Sequence, residues 1–374
     1  MRGPVARPIV IAAGGTGGHL FPAEALAVAL LARGERIALM TDARSAAFDS
    51  PAFANAERFS LAGAGLSGRG ALSAMRGAAA LVAGTFTARR LFKRLDASAV
   101  VGFGGYASIP PLMAASLMSA ARRPALVLHE QNAVLGRANR ALATRADLLA
   151  LSFANTRAIP AGARTEVLGN PVRPALAALS DGTYSAPEGA LRLLVTGGSL
   201  GARIFADVVP AAVALLPEAL RGRLVITQQA RAEDFSRTRD AYATMGIPAE
   251  VSAFFPDIAN RLSMAHLVIA RAGASTIAEL ACAGRPSILV PLPHAIDDHQ
   301  SANARALEHA GGAVVMPQIR FTAEALAAEL AALLADASRL AHMAEAARPL
   351  SRPDAASVLA DRVQALIAAR AEAN

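Results

Sequence analysis

The chain has 374 residues, 54% of them apolar, which is enough to bury substantial cores, and its length points to two domains rather than one. The formal charge of +8 is carried almost wholly by arginine, since Lys93 is the sole lysine; on its own it is weak evidence for nucleic acid, no run of basic and aromatic residues resembles an RNA-binding signature, and a surface that meets anionic lipid or phosphate fits it equally well. The single cysteine, Cys282, excludes an internal disulfide framework and a multi-thiolate metal site and fits a reducing cytoplasm.

At the N-terminus, MRGPVARPIVIAAGG passes from a short apolar run straight into glycines, without the long apolar region and cleavage site of a signal peptide. No uncharged stretch reaches the roughly 18 to 20 residues needed to cross a bilayer, so the expectation is a soluble or peripheral protein. Apolar runs then alternate with Ala/Leu-rich segments. PIVIAAGG leads to a helix predicted from Pro22, ERIALMT to a polar loop, ASAVVGFGG to a segment from Ile109, and PALVLHEQN to a segment from Gly136. GNPVRP and DGTYSAPEGA interrupt the rhythm. It restarts with LRLLVTGGSLGAR, RLVITQQ, EVSAFF, LVIARAG, PSILVPLP and GAVVM. Continuous apolar strands imply parallel sheets covered on both faces, so the chain reads as two Rossmann-like α/β halves.

Three strands run into glycine turns that open helices: IAAGGTGGH, VTGGSLGA and LVIARAGASTIAEL. In such folds ligands sit beyond the carboxyl ends of strands, where helix N-termini offer N–H groups to phosphate. GGTGGH lacks the dinucleotide spacing and its acidic partner, and it has no Gly-Lys-Ser/Thr, so nicotinamide and ATP enzymes are disfavoured.

Taken together and in order, GGTGGHLFPAEALA, VVGFGGYASIPP, LHEQNAVLGRAN, GNPVR, GGSLGAR and RAGASTIAELACAGRPSILVPLPHAIDDHQSANA, followed by GGAVVM, resemble the MurG family of bacterial glycosyltransferases. That resemblance covers most of the chain. It implies a GT-B fold, two Rossmann-like parallel-sheet domains facing across a cleft, with an acceptor and membrane-facing domain over 1–170 and a donor-binding domain over 171–353. The C-terminal helix, 354–374, is expected to pack back on the first. The implied reaction is inverting transfer of N-acetylglucosamine from UDP-N-acetylglucosamine to the 4-hydroxyl of the muramyl sugar of lipid I, giving lipid II for peptidoglycan, with no cofactor and no obligatory protein-bound metal. Implied partners are UDP-N-acetylglucosamine, lipid I, an anionic membrane surface at the cytoplasmic face of the inner membrane, and other cell-wall synthesis or division proteins.

The resemblance assigns roles residue by residue. Thr16, Gly17 and Gly18 offer N–H groups to anionic oxygens. His19 is the candidate general base, with contact to the acceptor diphosphate, or a mere helix cap, as its other readings. Glu130 is the fallback base and Asn132 contacts the transferred sugar, unless both are structural hydrogen-bonding groups at a strand end. Arg173 reaches the donor, or is solvated near the linker. Ser199 contacts the donor diphosphate, or caps a helix. Phe255 offers backbone to uracil, or packs in the core. Ala274, Ser275 and Thr276 cradle the diphosphate at a helix start, with Ser275 and Thr276 as possible caps, while Glu279 binds the ribose diol or completes a capping box. Gln300 bonds the sugar hydroxyls, and His299 is a less secure neighbour. Asp297 and Asp298 read as loop residues, not metal ligands.

In GRGALSAMRGAAALVAGTFTARRLFKRL, Leu72, Met75, Ala79, Val82 and Phe86 recur at alternating three- and four-residue steps, one helical stripe, with Arg69, Arg76, Arg89, Arg90, Lys93 and Arg94 around it. Either the stripe is core, or it docks on an anionic leaflet. Two further readings compete with lipid II synthesis: a related GT-B enzyme with another lipid acceptor such as diacylglycerol, and a non-catalytic nucleotide-sugar-binding protein.

Overall fold

Short strands whose residues are buried on both faces need helices above and below them, and both halves of the chain are built that way. The computed structural model describes residues 7–43, 45, 50–61, 71–119, 122–198 and 201–372, except for the side chains of 71–74. The chain divides into two units: Met1–Arg173 together with Asp354–Asn374, and Pro174–Pro353.

The first unit carries a parallel sheet of seven strands: β1 (Ile9–Ala12), β2 (Ile37–Thr41), β3 (Glu57–Ser60), β4 (Ala99–Gly102), β5 (Ala125–Glu130), β6 (Leu148–Leu151) and β7 (Thr165–Val167), in the order β3-β2-β1-β4-β5-β6-β7. The period of two sorts its residues: Ile9, Ile11 and Val101 pack on one face with Leu26 and Leu30, while Val10, Val100 and Leu128 pack on the other with Leu112 and Phe92. Helix α1 (Gly17–Leu31) follows β1 at once, five residues earlier than the Pro22 start read from sequence, so Pro22 lies inside the helix.

Sequence reading did not find three strands. Glu57–Ser60 is a largely exposed edge strand with charged residues, Thr165–Val167 has only three residues, and Leu148–Leu151 sits in an Ala/Leu stretch whose composition does not separate strand from helix.

The C-terminal helix, Ala355–Glu372, returns to the first unit. Leu359 and Val363 join its core. Around them Arg33 donates to Ser357 O and Asp361, Gln364 to Glu35, and Arg370 to Asp147, which also receives Arg123.

Helix α2 (Ala71–Leu95) packs against α3 (Ile109–Ser116); its buried residues are small or aromatic, Gly77, Gly84, Ala88 and Phe92, of which Ala88 and Phe92 share a core with Leu112, Ala114 and Ala115 of α3. That choice turns the apolar stripe outward. Met75 is 69% exposed, Val82 54% and Phe86 61%, so core burial of the stripe is overturned for these residues. Ala79, Arg89, Arg90 and Lys93 are exposed as well; the Leu72 side chain and all of Arg69 lie outside the described residues. Among the described residues, no helix is long and apolar enough to cross a membrane.

The second unit repeats the plan with six parallel strands: β8 (Leu191–Thr196), β9 (Leu224–Gln229), β10 (Ala249–Ser252), β11 (Leu267–Ala270), β12 (Ser287–Leu289) and β13 (Ala313–Val315), ordered β10-β9-β8-β11-β12-β13. All six match apolar runs read from the sequence. Its core gathers Val195, Phe205, Ile226, Ile269 and Leu330.

Candidate active site

In a doubly wound sheet the chain reverses its direction of travel between two adjacent strands, and the loops leaving them splay apart at the carboxyl edge. In the first unit that point lies between β1 and β4, with β5 next to β4. Both flanking turns are glycine-rich, for packing reasons. A Cβ on Gly14 would lie 2.6 Å from Ala107 Cβ, and Gly15, at φ 94°, donates its N–H to Ser45 Oγ at 2.7 Å.

Thr16 is the N-cap of α1 in extended conformation, and its side chain makes no capping bond; Gly17, Gly18 and His19 occupy the first three helical positions. The helix start therefore directs first-turn N–H groups toward the carboxyl edge. Register excludes the cap reading of His19. Its ring instead turns sideways, with Nδ1 3.2 Å from Gln131 Oε1.

Space for that ring comes from the turn after β4. Gly104 and Gly105 have φ of 81° and 74°, and a Cβ on Gly105 would lie 2.6 Å from Gly14 O and 3.2 Å from His19 Cδ2. Beneath lies Gln131, 3% exposed, whose Nε2 donates to Phe103 O at 2.8 Å and lies 3.3 Å from His129 Nδ1. His129 is fully buried with Nε2 3.1 Å from Gly169 O; burial lowers its pKa to about 4, against the opposing effect of the Gly169 bond.

This burial makes stability depend on pH. The unfolded chain protonates His129 near 6.5 and the folded chain only near 4, so between those values the unfolded state holds more protons. The contribution is complete above about pH 6.5 and is lost as pH falls toward about 4, at about 1.4 kcal/mol per pH unit, or about 3 kcal/mol in all. Equilibrium unfolding of the wild type and His129→Asn across this window should show the wild type losing that much more; parallel profiles would contradict the buried neutral state.

Residues 130 and 132 face away from 129 and 131, as strand alternation requires. Glu130 is 3% exposed, and both its oxygens are engaged: Oε1 accepts from Asn132 N (3.0 Å) and Nδ2 (3.2 Å), Oε2 from Gly136 N (2.9 Å) and Asn139 Nδ2 (2.9 Å). This is the structural one of its two readings. Arg173 is half-buried, with its guanidinium 4.4 Å from the Phe21 ring centroid, which corrects the picture of a solvated linker arginine.

In the second unit the reversal falls between β8 and β11, and the glycine turns GGSLGA and RAGAST leave those two strands. Gln229 at the end of β9 pins the first turn: its Oε1 accepts from Gly197 N at 2.9 Å and its Nε2 donates to Gly198 O at 2.9 Å and Ala253 O at 3.0 Å. Ser199 lies outside the described residues; the N-cap of the following helix, Arg203–Ala214, is Ala202.

At RAGAST, Gly273 is the N-cap of helix Ala274–Ala283, so Ala274, Ser275 and Thr276 fill its first three positions and are not caps. Glu279 is then the sixth helical residue, half-buried. A capping box needs the acid at the third position, so register rules that alternative out. Asn303, fully buried, donates to Ala272 O at 3.2 Å and holds the turn from the neighbouring helix His299–His309.

Gln300 Oε1 accepts from Leu292 N at 3.0 Å, and His299 Nδ1 lies 2.7 Å from Ile296 O, so both organise the loop between them. Asp297 and Asp298, at φ 54° and 52°, hold strained left-handed conformations there. Phe255 is 6% exposed under the Arg261 guanidinium, 5.0 Å from the ring centroid, so its side chain packs in the core. Among the described residues, no group of three or more His, Cys, Asp or Glu is arranged so that it could hold a metal ion.

Within each unit the expected residues thus converge: Thr16, Gly17, Gly18 and His19 at one carboxyl edge, Ala274, Ser275, Thr276 and Glu279 at the other. Sequence reading missed Gln131, His129 and Gln229. The first two were legible in principle, because alternation along HEQN puts 129 and 131 on one face.

Residues 9–150 match the glycosyltransferase family 28 N-terminal domain and residues 192–359 the glycosyltransferase family 28 C-terminal domain. A protein of Granulibacter bethesdensis named UDP-N-acetylglucosamine--N-acetylmuramyl-(pentapeptide) pyrophosphoryl-undecaprenol N-acetylglucosamine transferase is 57% identical over 98% of this chain and 95% of its own length. One of the same name from Acidiphilium cryptum is 53% identical over 99% of this chain and all of its own length. Among solved structures, Acinetobacter baumannii MurG superposes with a TM-score of 0.76 at 30% identity, covering 96% of this chain and 99% of that one.

Proposed function

The chain belongs to glycosyltransferase family 28 and within it to the MurG family, and from that premise we propose how its residues carry the reaction. It is an N-acetylglucosaminyltransferase that moves the sugar from UDP-N-acetylglucosamine to the undecaprenyl-diphosphate-linked muramyl peptide, making lipid II. The observation that carries this reading is the near full-length identity of 57% to a transferase of that name.

In the proposed reaction the acceptor 4-hydroxyl attacks the anomeric carbon as UDP leaves from the opposite face, which inverts the centre without a covalent intermediate. His19 takes the hydroxyl proton. Helix-start N–H groups at Ala274, Ser275 and Thr276, with the GGSLGA turn that carries Ser199, stabilise the departing diphosphate without a protein-bound metal. Glu279 accepts both ribose hydroxyls; Arg173, Asn132, Gln300 and the Phe255 backbone complete recognition of the donor, and Thr16, Gly17 and Gly18 meet anionic oxygens.

Glu279→Ala should weaken UDP binding by about 1.5 to 3 kcal/mol, the usual worth of hydrogen bonds to a charged group, and to the same extent in EDTA. Isothermal titration of the folded variant checks this. Unchanged affinity would remove the ribose role, and an EDTA-dependent loss in the wild type would bring in a metal.

The exposed Met75, Val82 and Phe86 amid Arg89, Arg90 and Lys93 support docking on the anionic cytoplasmic leaflet. Arg94 is excluded from the test because it already meets Glu57 and the Phe59 ring. Neutralising Arg89, Arg90 and Lys93 together should weaken binding to anionic vesicles by roughly 1 kcal/mol per charge, in a salt-sensitive way, while turnover of a short-chain soluble acceptor persists. Equal wild-type binding to neutral and anionic vesicles would refute the surface.

A further inference from the structure

The hydrogen-bond chain beneath His19 has a direction, and two backbone carbonyls set it. A carbonyl oxygen only accepts. Gly169 O therefore takes the proton of His129 Nε2, and the neutral ring keeps its lone pair on Nδ1. Phe103 O, 2.8 Å from the Gln131 side-chain nitrogen, fixes that amide with its NH2 group toward Phe103 and His129 and its oxygen toward His19. An amide oxygen also only accepts, and Gln131 Oε1 lies 3.2 Å from His19 Nδ1, so Nδ1 carries the hydrogen.

We infer that Gln131 is a positioning residue that holds neutral His19 in the Nδ1–H tautomer and so places the basic lone pair on Nε2. The tautomer follows from geometry alone; its value for catalysis rests on the reading of His19 as the base. A free histidine side chain prefers the opposite tautomer, with hydrogen on Nε2, and would present a donor where proton abstraction needs an acceptor. Gln131 can impose the choice because it is buried, so water does not compete for its oxygen, and because each of its own groups is committed. Gly104 and Gly105 leave the ring the space to meet it.

The test is nitrogen NMR of the whole protein labelled with 15N-histidine, at about pH 8, above the ordinary imidazole range, with the His19 signals assigned by their loss in His19→Gln. A pyrrole-type shift at His19 Nδ1 and a pyridine-type shift at Nε2 are expected, with the reverse pattern at His129. In Gln131→Met, which keeps length but removes the acceptor, His19 should move toward Nε2–H. Its kcat should drop roughly 10- to 100-fold, the usual worth of an orienting partner of a functional histidine, with the donor KM within about twofold.

Nε2–H on His19 in the wild type, or Nδ1–H persisting in folded Gln131→Met, would overturn the inference. If Gln131→Met does not fold, the wild-type spectrum decides alone. The two readings fail separately: Nδ1–H with full activity in His19→Gln removes the base and leaves the tautomer, whereas Nε2–H with an inactive His19→Gln does the reverse.

Discussion

His19→Gln is expected to lower kcat by roughly 10²- to 10⁴-fold, the usual contribution of a positioned general base. Glutamine retains size and polarity, so binding of the donor should persist and the loss should fall on kcat and kcat/KM together. The wild-type rate should fall on the acid side, where imidazole takes up a proton, and this limb should vanish in the variant. Contact between His19 and the acceptor diphosphate predicts another pattern: the variant chiefly raises acceptor KM, and wild-type acceptor binding weakens with rising pH. Steady-state kinetics of both proteins against pH, with chemistry limiting the rate, separates the two. Unchanged kcat, KM and pH profiles would leave His19 with neither role.

Glu130→Ala is expected to cost about 3 to 5 kcal/mol of stability, because it strands the four donors of Asn132, Gly136 and Asn139 that now meet one buried carboxylate. Glu130→Gln keeps the shape but turns one acceptor into a donor that faces other donors, so it should cost about 2 kcal/mol. In the folded Gln variant kcat should stay within roughly tenfold of wild type, far from the loss that removal of a general base brings. Denaturant unfolding, followed by hydrogen exchange of β5 amides, together with kcat, checks this. A stable Gln variant without turnover would restore Glu130 as the base.

These two carboxyl-edge residues show how much of the site was legible. The apolar runs marked β1, β2, β4, β5 and all six strands of the second unit; β1, β2, β4, β5, β11 and β12 are buried along their whole length, while in β8, β9, β10 and β13 enough apolar residues remain around exposed or polar positions such as Arg192 and Glu250. The three missed strands are short, exposed or alanine-rich, and only pairing with neighbours defines them. Glycine turns at GGTGGH, GGSLGA and RAGAST marked the carboxyl edges of the sheets, where the proposed ligands would sit. What a linear reading did not settle was register. Helix α1 begins at Gly17 rather than Pro22, and the Ala274–Ala283 helix begins after Gly273, which places His19 past the N-cap, at the third helical position, and Glu279 beyond the capping box. Gln229 escaped notice because Gly197 N, Gly198 O and Ala253 O are backbone atoms from distant turns that carry no residue-type signature, and Gln131 because one of its partners, Phe103 O, is such an atom and another, His19, lies 112 residues away.

The most direct measurement supplies the purified protein with sugar-labelled UDP-N-acetylglucosamine and an undecaprenyl-diphosphate-linked muramyl pentapeptide in anionic vesicles, and follows UDP release and the labelled lipid together. The account predicts one UDP released per labelled disaccharide lipid, strict dependence on the muramyl acceptor, and no label on diacylglycerol. Transfer to diacylglycerol in place of the muramyl lipid, or UDP-sugar binding without acceptor-dependent release, would contradict it.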